Sequence, residues 1–165
     1  MTENGSDRQK TMSIVCWSGD LDRVWPVLIL STTAAASGLQ VNVFFTFWGL
    51  RVLQRNDVRV TGKNWMQKGE SLVDRGGTDH LKLGKIHFGG AGTKMIKKLA
   101  DSYNVASPTE LLGMAQDLGV NLYPCQMTMD LYGLTKEDFI DGLGSPMGAA
   151  SFIDMAADSD ITLFI

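Results

Sequence analysis

The sequence predicts an α/β fold built on a mostly parallel sheet, and two observations carry that reading. A buried run at 12–17, a helical stretch at 23–37 and a β-branched and aromatic run at 41–47 follow one another within about 35 residues, the length of a βαβ unit. Further along, a well-capped helix starting at Ser107 leads directly into a second apolar run at 120–125.

Each element has a local cause. Residues 12–17 (Met-Ser-Ile-Val-Cys-Trp) are short and apolar, and the turn Ser18-Gly19-Asp20-Leu21-Asp22 ends them. Asp20 or Asp22 is placed to cap the next helix, which tolerates Pro26 because its first turn has few internal hydrogen bonds to lose. Gly38 supplies the left-handed stop. Beyond the second strand, residues 51–86 mix glycines with charges and show a weak helical period near 65–73, the pattern of a long functional or mobile connection. Residues 85–88 suit either a short edge strand or an approach to the glycines that follow. A helix is expected over 93–103, from the spacing of Met95, Ile96 and Leu99. In Ser107-Pro108-Thr109-Glu110 an N-cap, a proline at the first helical position and a first-turn acid coincide, and Gly119 closes that helix. Strand 120–125, short helices at 135–140 and 146–157, and a final strand at 161–165 complete the order. Residues 1–11 read as a disordered polar tail and 12–165 as a single domain, with a basic, glycine-containing insert at about 51–86.

Composition excludes several classes. With 165 residues, 44% of them hydrophobic and 20% charged, the chain can bury a full core without disulfides, and its two cysteines, Cys16 and Cys125, are too few for a disulfide framework. No Cys/His spacing suggests a metal, and His80 and His87 read as surface or capping residues. The first ten residues lack the apolar core of a signal peptide. The longest apolar stretch, thirteen residues at 24–36, falls short of the roughly 20 that span a bilayer, so a soluble, cytoplasmic protein is expected. Net charge is −3, but 51–86 carries eight Lys/Arg against four acids. Without interleaved aromatics, that excess reads as a solvated surface and not as a nucleic-acid platform. Helix 23–37 has almost no charged face beyond Arg23, which implies burial on all sides and hence a homo-oligomer.

Cys125 is the leading chemical candidate. It stands where an apolar strand gives way to a helix, an address at which backbone amides and the helix dipole favour a thiolate. The plain alternative is a small buried hydrophobe. Gln126, Met127, Thr128 and Asp130 follow it, while Ser18, Asp20, Trp48 and Gly49 are candidates for the same cleft. Cys16 alternates with Val15 and Trp17 and reads as core. Gly89, Gly90, Gly92 and Thr93 form a candidate anion-binding loop, because glycines free the amides at a helix start. Their spacing fails that of a P-loop, which argues against nucleotide hydrolysis.

Together, Ser18-Gly19-Asp20-Leu21-Asp22, Phe44-Phe45-Thr46-Phe47-Trp48-Gly49-Leu50, Cys125-Gln126-Met127-Thr128-Met129-Asp130 with Gly133, and Leu163-Phe164-Ile165 resemble the DsrE/DsrF-like family, in the branch sometimes labelled peroxiredoxin-like. The resemblance implies a three-layer α/β domain, flavodoxin-like in its winding, with helices on both faces of the sheet, assembled as trimers or hexamers. It further implies a sulfur-relay or sulfurtransferase role in which Cys125 accepts sulfane sulfur as a persulfide and passes it between donor and acceptor proteins, with no metal or organic cofactor. In the competing expectation the chain is a non-enzymatic assembly or small-ligand-binding protein of the same fold, with Cys125 only a pocket wall. A peroxidase role is disfavoured, since neither thiol lies in a Thr-x-x-Cys arrangement.

Overall fold

A computed structural model describes residues 8–58, 60–73, 75–85 and 88–165, leaving out the side chains of Glu70, Val73 and Phe88. Four strands, β1 (Thr11–Cys16), β2 (Gln40–Phe45), β3 (Asn121–Pro124) and β4 (Ile161–Phe164), form one all-parallel sheet in the order β3-β2-β1-β4. The expected α/β class is therefore correct.

The winding explains the layers. From β1 the chain steps outward to β2 and β3, and the connecting helices α1 (Leu21–Ala36) and α4 (Pro108–Asp117) pack together over the same core. It then returns to the far side of β1. Crossovers of constant hand must put that return on the other face, and α6 (Ala149–Ala157) lies there, with Phe152 stacked on Phe44 at 4.8 Å. Strand alternation divides the side chains accordingly. Ile14, Cys16, Val43, Phe45 and Leu122 meet α1 and α4, whereas Val15, Phe44 and Tyr123 meet α6.

Local signals act largely as the sequence predicts. Ser107 and Glu110 close a reciprocal capping box on α4, and Gly38 and Gly119 adopt positive φ just beyond their helices. Helix α1 begins after Asp20, whose side chain makes no capping bond, while Asp22 accepts the Gly84 N–H at 2.9 Å. Its inner face buries Val24, Val27, Leu28 and Ser31, but Ile29 and Leu30 remain exposed. Helices α2 (Trp65–Val73), α3 (Ala91–Ser102) and α5 (Gln126–Tyr132) complete the set, and the short helix expected at 135–140 is a single 3-10 turn, Lys136–Asp138.

Two differences have physical reasons. Strand β2 stops at Phe45 because Phe47 takes φ 51°, a left-handed conformation that turns the chain into the 3-10 segment Phe47–Leu53. The polar tail is anchored before residue 12. Arg8 pairs with Asp160 at 2.8 Å, Gln9 donates to the Gly38 carbonyl, and the Thr11 N–H donates to Asp160 at 2.7 Å. The strand considered at 85–88 depends on Ile86 and His87, which lie outside the described residues, as do residues 1–7.

Asp160 thus ties the entry of β1 to that of β4. Its pKa lies below the ordinary 3.8, chiefly through the Thr11 amide and secondarily through Arg8. A depressed carboxylate pKa contributes stability that is present above 3.8 and lost as pH falls through the folded value. Asp160→Asn is expected to lower the urea midpoint at neutral pH. That difference from wild type should shrink as the melts are repeated at progressively more acid pH below 3.8.

Candidate functional site

The carboxyl ends of β1 and β2 are brought together by two glycines. A Cβ on Gly49 would overlap the Cys16 carbonyl oxygen, and one on Gly19 would sit 2.8 Å from the Trp48 carbonyl oxygen. With no side chain in the way, the Gly49 N–H reaches the Trp17 carbonyl at 3.0 Å. The turn after β2 therefore folds back over the end of β1.

Behind this turn lies a cavity of about 890 Å³. Ser18, Asp20 and Trp48, expected to share a cleft with Cys125, line it without Cys125 and together with Trp17, Arg51, Arg75, His80 and Lys82. Most of the far wall comes from the 51–86 segment, to which the sequence assigned no role. His80 is half-buried in that wall, with Nε2 3.3 Å from the Asn56 carbonyl. Sequence periodicity could not find these residues, because they converge from a glycine-interrupted segment with little regular structure. Gly49 does not line the cavity; it shapes it. The Ser18 hydroxyl, 3% exposed, accepts the Asp20 N–H at 3.1 Å and holds the first turn in place.

Cys125 lies elsewhere. It is the N-cap of α5, as the strand-to-helix reading expects, with its N–H donated to Phe45 and its carbonyl accepting from Met129. Its side chain, however, is on the α6 face, 2% exposed, packed with Phe44 and Phe152 and against Val15, Tyr123, Met147 and Ala156. This cover agrees with the alternative of a buried side chain and corrects the expectation of a cleft shared with Ser18, Asp20, Trp48 and Gly49. Gln126 is also committed differently. Its N–H donates to the Met147 carbonyl, and the Met147 N–H donates to Pro124, so the chain around Met147 lies like a strap along the extension of β3. The Gln126 amide is thus taken by protein and is not turned toward the sulfur.

The other motif residues divide by face. Gln126 and Asp130 are exposed and hydrogen-bonded to one another at 2.9 Å, and Met127 projects outward. Thr128 is fully buried; its Oγ1 accepts the Phe47 N–H at 3.1 Å and lies 3.3 Å from Thr46 Oγ1. The far end of α5 returns to the cavity, where the Tyr132 ring lies 5.9 Å from Trp48 and 5.2 Å from the Arg51 guanidinium carbon. In the glycine loop, Gly89 and Gly90 adopt positive φ. Thr93 accepts the Leu83 N–H at 3.1 Å, fastening α3 to the cavity wall, and none of the four loop residues lines the cavity.

The two thiols share one end of the sheet but point to opposite faces, so Cys16 is not positioned as a resolving partner for Cys125. Cys16 is fully buried, its Sγ donating to the Ser18 carbonyl at 3.6 Å, and burial pushes its pKa from 9.0 to about 12. No group of three or more His, Cys, Asp or Glu among the described residues could hold a metal ion, and no described helix is long and apolar enough to cross a membrane.

Residues 8–164 match the family model described as DsrE/DsrF/DrsH-like. The chain belongs to that family. Among curated relatives it is 38% identical over 160 residues to the sulfur carrier protein DsrE2 of Allochromatium vinosum, covering 95% of this chain and 99% of that one. It is 34% identical over 160 residues to the uncharacterized protein YrkE of Bacillus subtilis, covering 97% and 99%. Among solved structures, the Escherichia coli ychN protein aligns with a TM-score of 0.58 at 12% identity over 96% of this chain and all of that one. MTH1491 of Methanobacterium thermoautotrophicum aligns at 0.53 and 12% identity with the same coverage. At that identity, the two structures support the fold alone.

Because ionising Cys16 requires exposing it, alkylation of native protein at neutral pH should modify Cys16 only through global unfolding. Labelling followed by peptide mass analysis across a urea series would measure this. The Cys16 rate should rise in step with the fraction unfolded.

Proposed function

We propose that the chain is a sulfur-relay carrier that holds sulfane sulfur on Cys125. The observation that carries the proposal is Cys125 itself, at the carboxyl end of β3 and the N-cap of α5, in a chain 38% identical to a protein named as a sulfur carrier. The Cys125 thiolate attacks the outer sulfur of a donor persulfide. A new S–S bond forms on Cys125 as the donor S–S bond breaks, and its electron pair leaves with the donor thiolate, which takes up a proton. The acceptor thiolate then attacks the outer sulfur, and Cys125 leaves as thiolate. The two exchanges conserve atoms and electrons with no cofactor or metal.

Transfer from a thiol under Phe152 and Met147 requires the cover to open. Phe152 is 2% exposed and anchors the short helix α6, while Ile153 on its outer side is 63% exposed, so α6 is held chiefly by one buried face. Helices with few buried contacts open locally at less cost than the whole domain unfolds. In this reading a donor or acceptor protein engages the protein while α6 and the strap are displaced. The same reading has the chain assemble as a trimer or hexamer in the cytoplasm, supported by apolar side chains such as Ile29, Leu30 and Phe164 that one protomer leaves exposed.

The enclosure of Cys125 favours a second reading, small-ligand binding without thiol chemistry. Intact-mass measurement separates the two. Incubated with a persulfide donor and freed of excess reagent, wild type should gain one sulfur atom and Cys125→Ala none. If wild type gains none, or if the sulfur lies on Cys16, the carrier reading fails.

Truncating the cover should expose the thiol. Removing a buried phenyl ring costs about 3–5 kcal/mol, so Phe152→Ala should raise the alkylation rate of Cys125 on the order of a hundredfold to a few thousandfold. Cys16 serves as the internal control and should stay unlabelled while the domain remains folded.

A further inference from the structure

We propose that the cavity at the ends of β1 and β2 binds a small organic anion, an oxyanion head carried on a flat apolar body. Its location is the first ground. Open parallel sheets bind ligands outside the carboxyl ends of their strands, where the strand order reverses. Here β1 is that strand, flanked by β2 on one side and by the returning β4 on the other, and Trp17, Ser18, Gly19 and Asp20 directly follow it in the cavity wall.

The second ground is the chemistry of the lining. Among the described wall residues, Arg75 and His80 supply basic groups for an anion, and Asp20 carries a carboxylate. That carboxylate faces Arg23 at 3.9 Å, outside the lining set, so its charge is partly met from elsewhere. Arg75 donates through Nη2 to the Asn56 carbonyl at 3.3 Å, and the same carbonyl lies 3.3 Å from His80 Nε2, which holds the two side chains together. The Nε–H of Arg75 is buried with no hydrogen-bond partner. A buried donor without an acceptor is costly, and a guanidinium presents N–H groups that suit the paired oxygens of a carboxylate, sulfonate or phosphate.

The third ground is the remaining wall. Trp17, Trp48, Leu81 and Leu83 give it broad apolar surfaces, and Trp48 is held edge-on to Phe47 and tilted over Tyr132. A volume of about 890 Å³ exceeds what a bare inorganic anion needs and lies within the range of organic-ligand sites. Charge and apolar wall together specify an amphiphilic anion. The site contains neither cysteine, so it stands apart from sulfur transfer on Cys125.

Calorimetric titration of the full chain tests this with benzenesulfonate, benzoate and phenyl phosphate as anionic probes and benzenesulfonamide as the neutral match. At least one anion is expected to bind saturably at one site per chain. Benzenesulfonamide should bind about tenfold or more weakly than benzenesulfonate, since it lacks the charge that strengthens the arginine contact. Arg75→Gln should weaken the bound anion by about tenfold or more, and His80→Gln should weaken it less. Cys125→Ala should leave binding intact, which separates this site from the carrier reading. Equal binding of sulfonate and sulfonamide, no saturable binding of any of the three anions, or unchanged affinity in a folded Arg75→Gln would overturn the proposal.

Discussion

Everything at the working end of this sheet depends on how closely the turn after β2 lies on the end of β1. Gly49 occupies the space a side chain would need against Cys16, and Gly19 does the same against Trp48. This approach buries Leu50, Val52 and Leu53 and seals Cys16 from water. It also swings Trp48 and Arg51 to the side where the 51–84 segment can enclose a cavity. A methyl group at position 49 would push the two backbones apart, and the cost would fall on the core and the cavity at once.

Strand alternation then creates two separate chemical compartments. Cys16 and the α1 and α4 core lie on one face, and Cys125 lies beneath α6 on the other. Helix α5 is the link, since its first residue follows the enclosed thiol and its last packs on Trp48. Under the proposed carrier role, a sulfur held on Cys125 must be kept from water and stray thiols between exchanges, and an enclosed cysteine would meet that need at the expense of access. The same burial that would protect a persulfide requires a moving cover before any exchange occurs.

Much of the fold was legible because its signals are local. The β-branched and aromatic run of β2, the capping box at Ser107 and Glu110, and the glycines at 38 and 119 act through their immediate neighbours. The junction at Cys125 was legible for the same reason. Its burial was not, because the cover comes from Phe152, 27 positions downstream on a helix whose facing no periodicity in the strand could reveal. The cavity was hidden by a similar effect. Arg51, Arg75 and His80 carry no repeating pattern, and they meet through long-range contacts such as the packing of Gly76 and Gly77 against Gln54 and Asn56. The end of β2 was misplaced by two residues, since an aromatic run gives no warning that Phe47 will turn left-handed.

That left-handed residue ties two distant stretches of sequence into one inherited unit. The Phe47 amide, turned inward by its backbone, is received by the hydroxyl of Thr128, three residues past Cys125. A change at 128 that removes the oxygen orphans the amide, and a change at 47 that restores ordinary backbone angles takes that donor from the threonine. The two positions should therefore drift together across descendants of this gene, and lineages in which they vary independently would contradict that coupling.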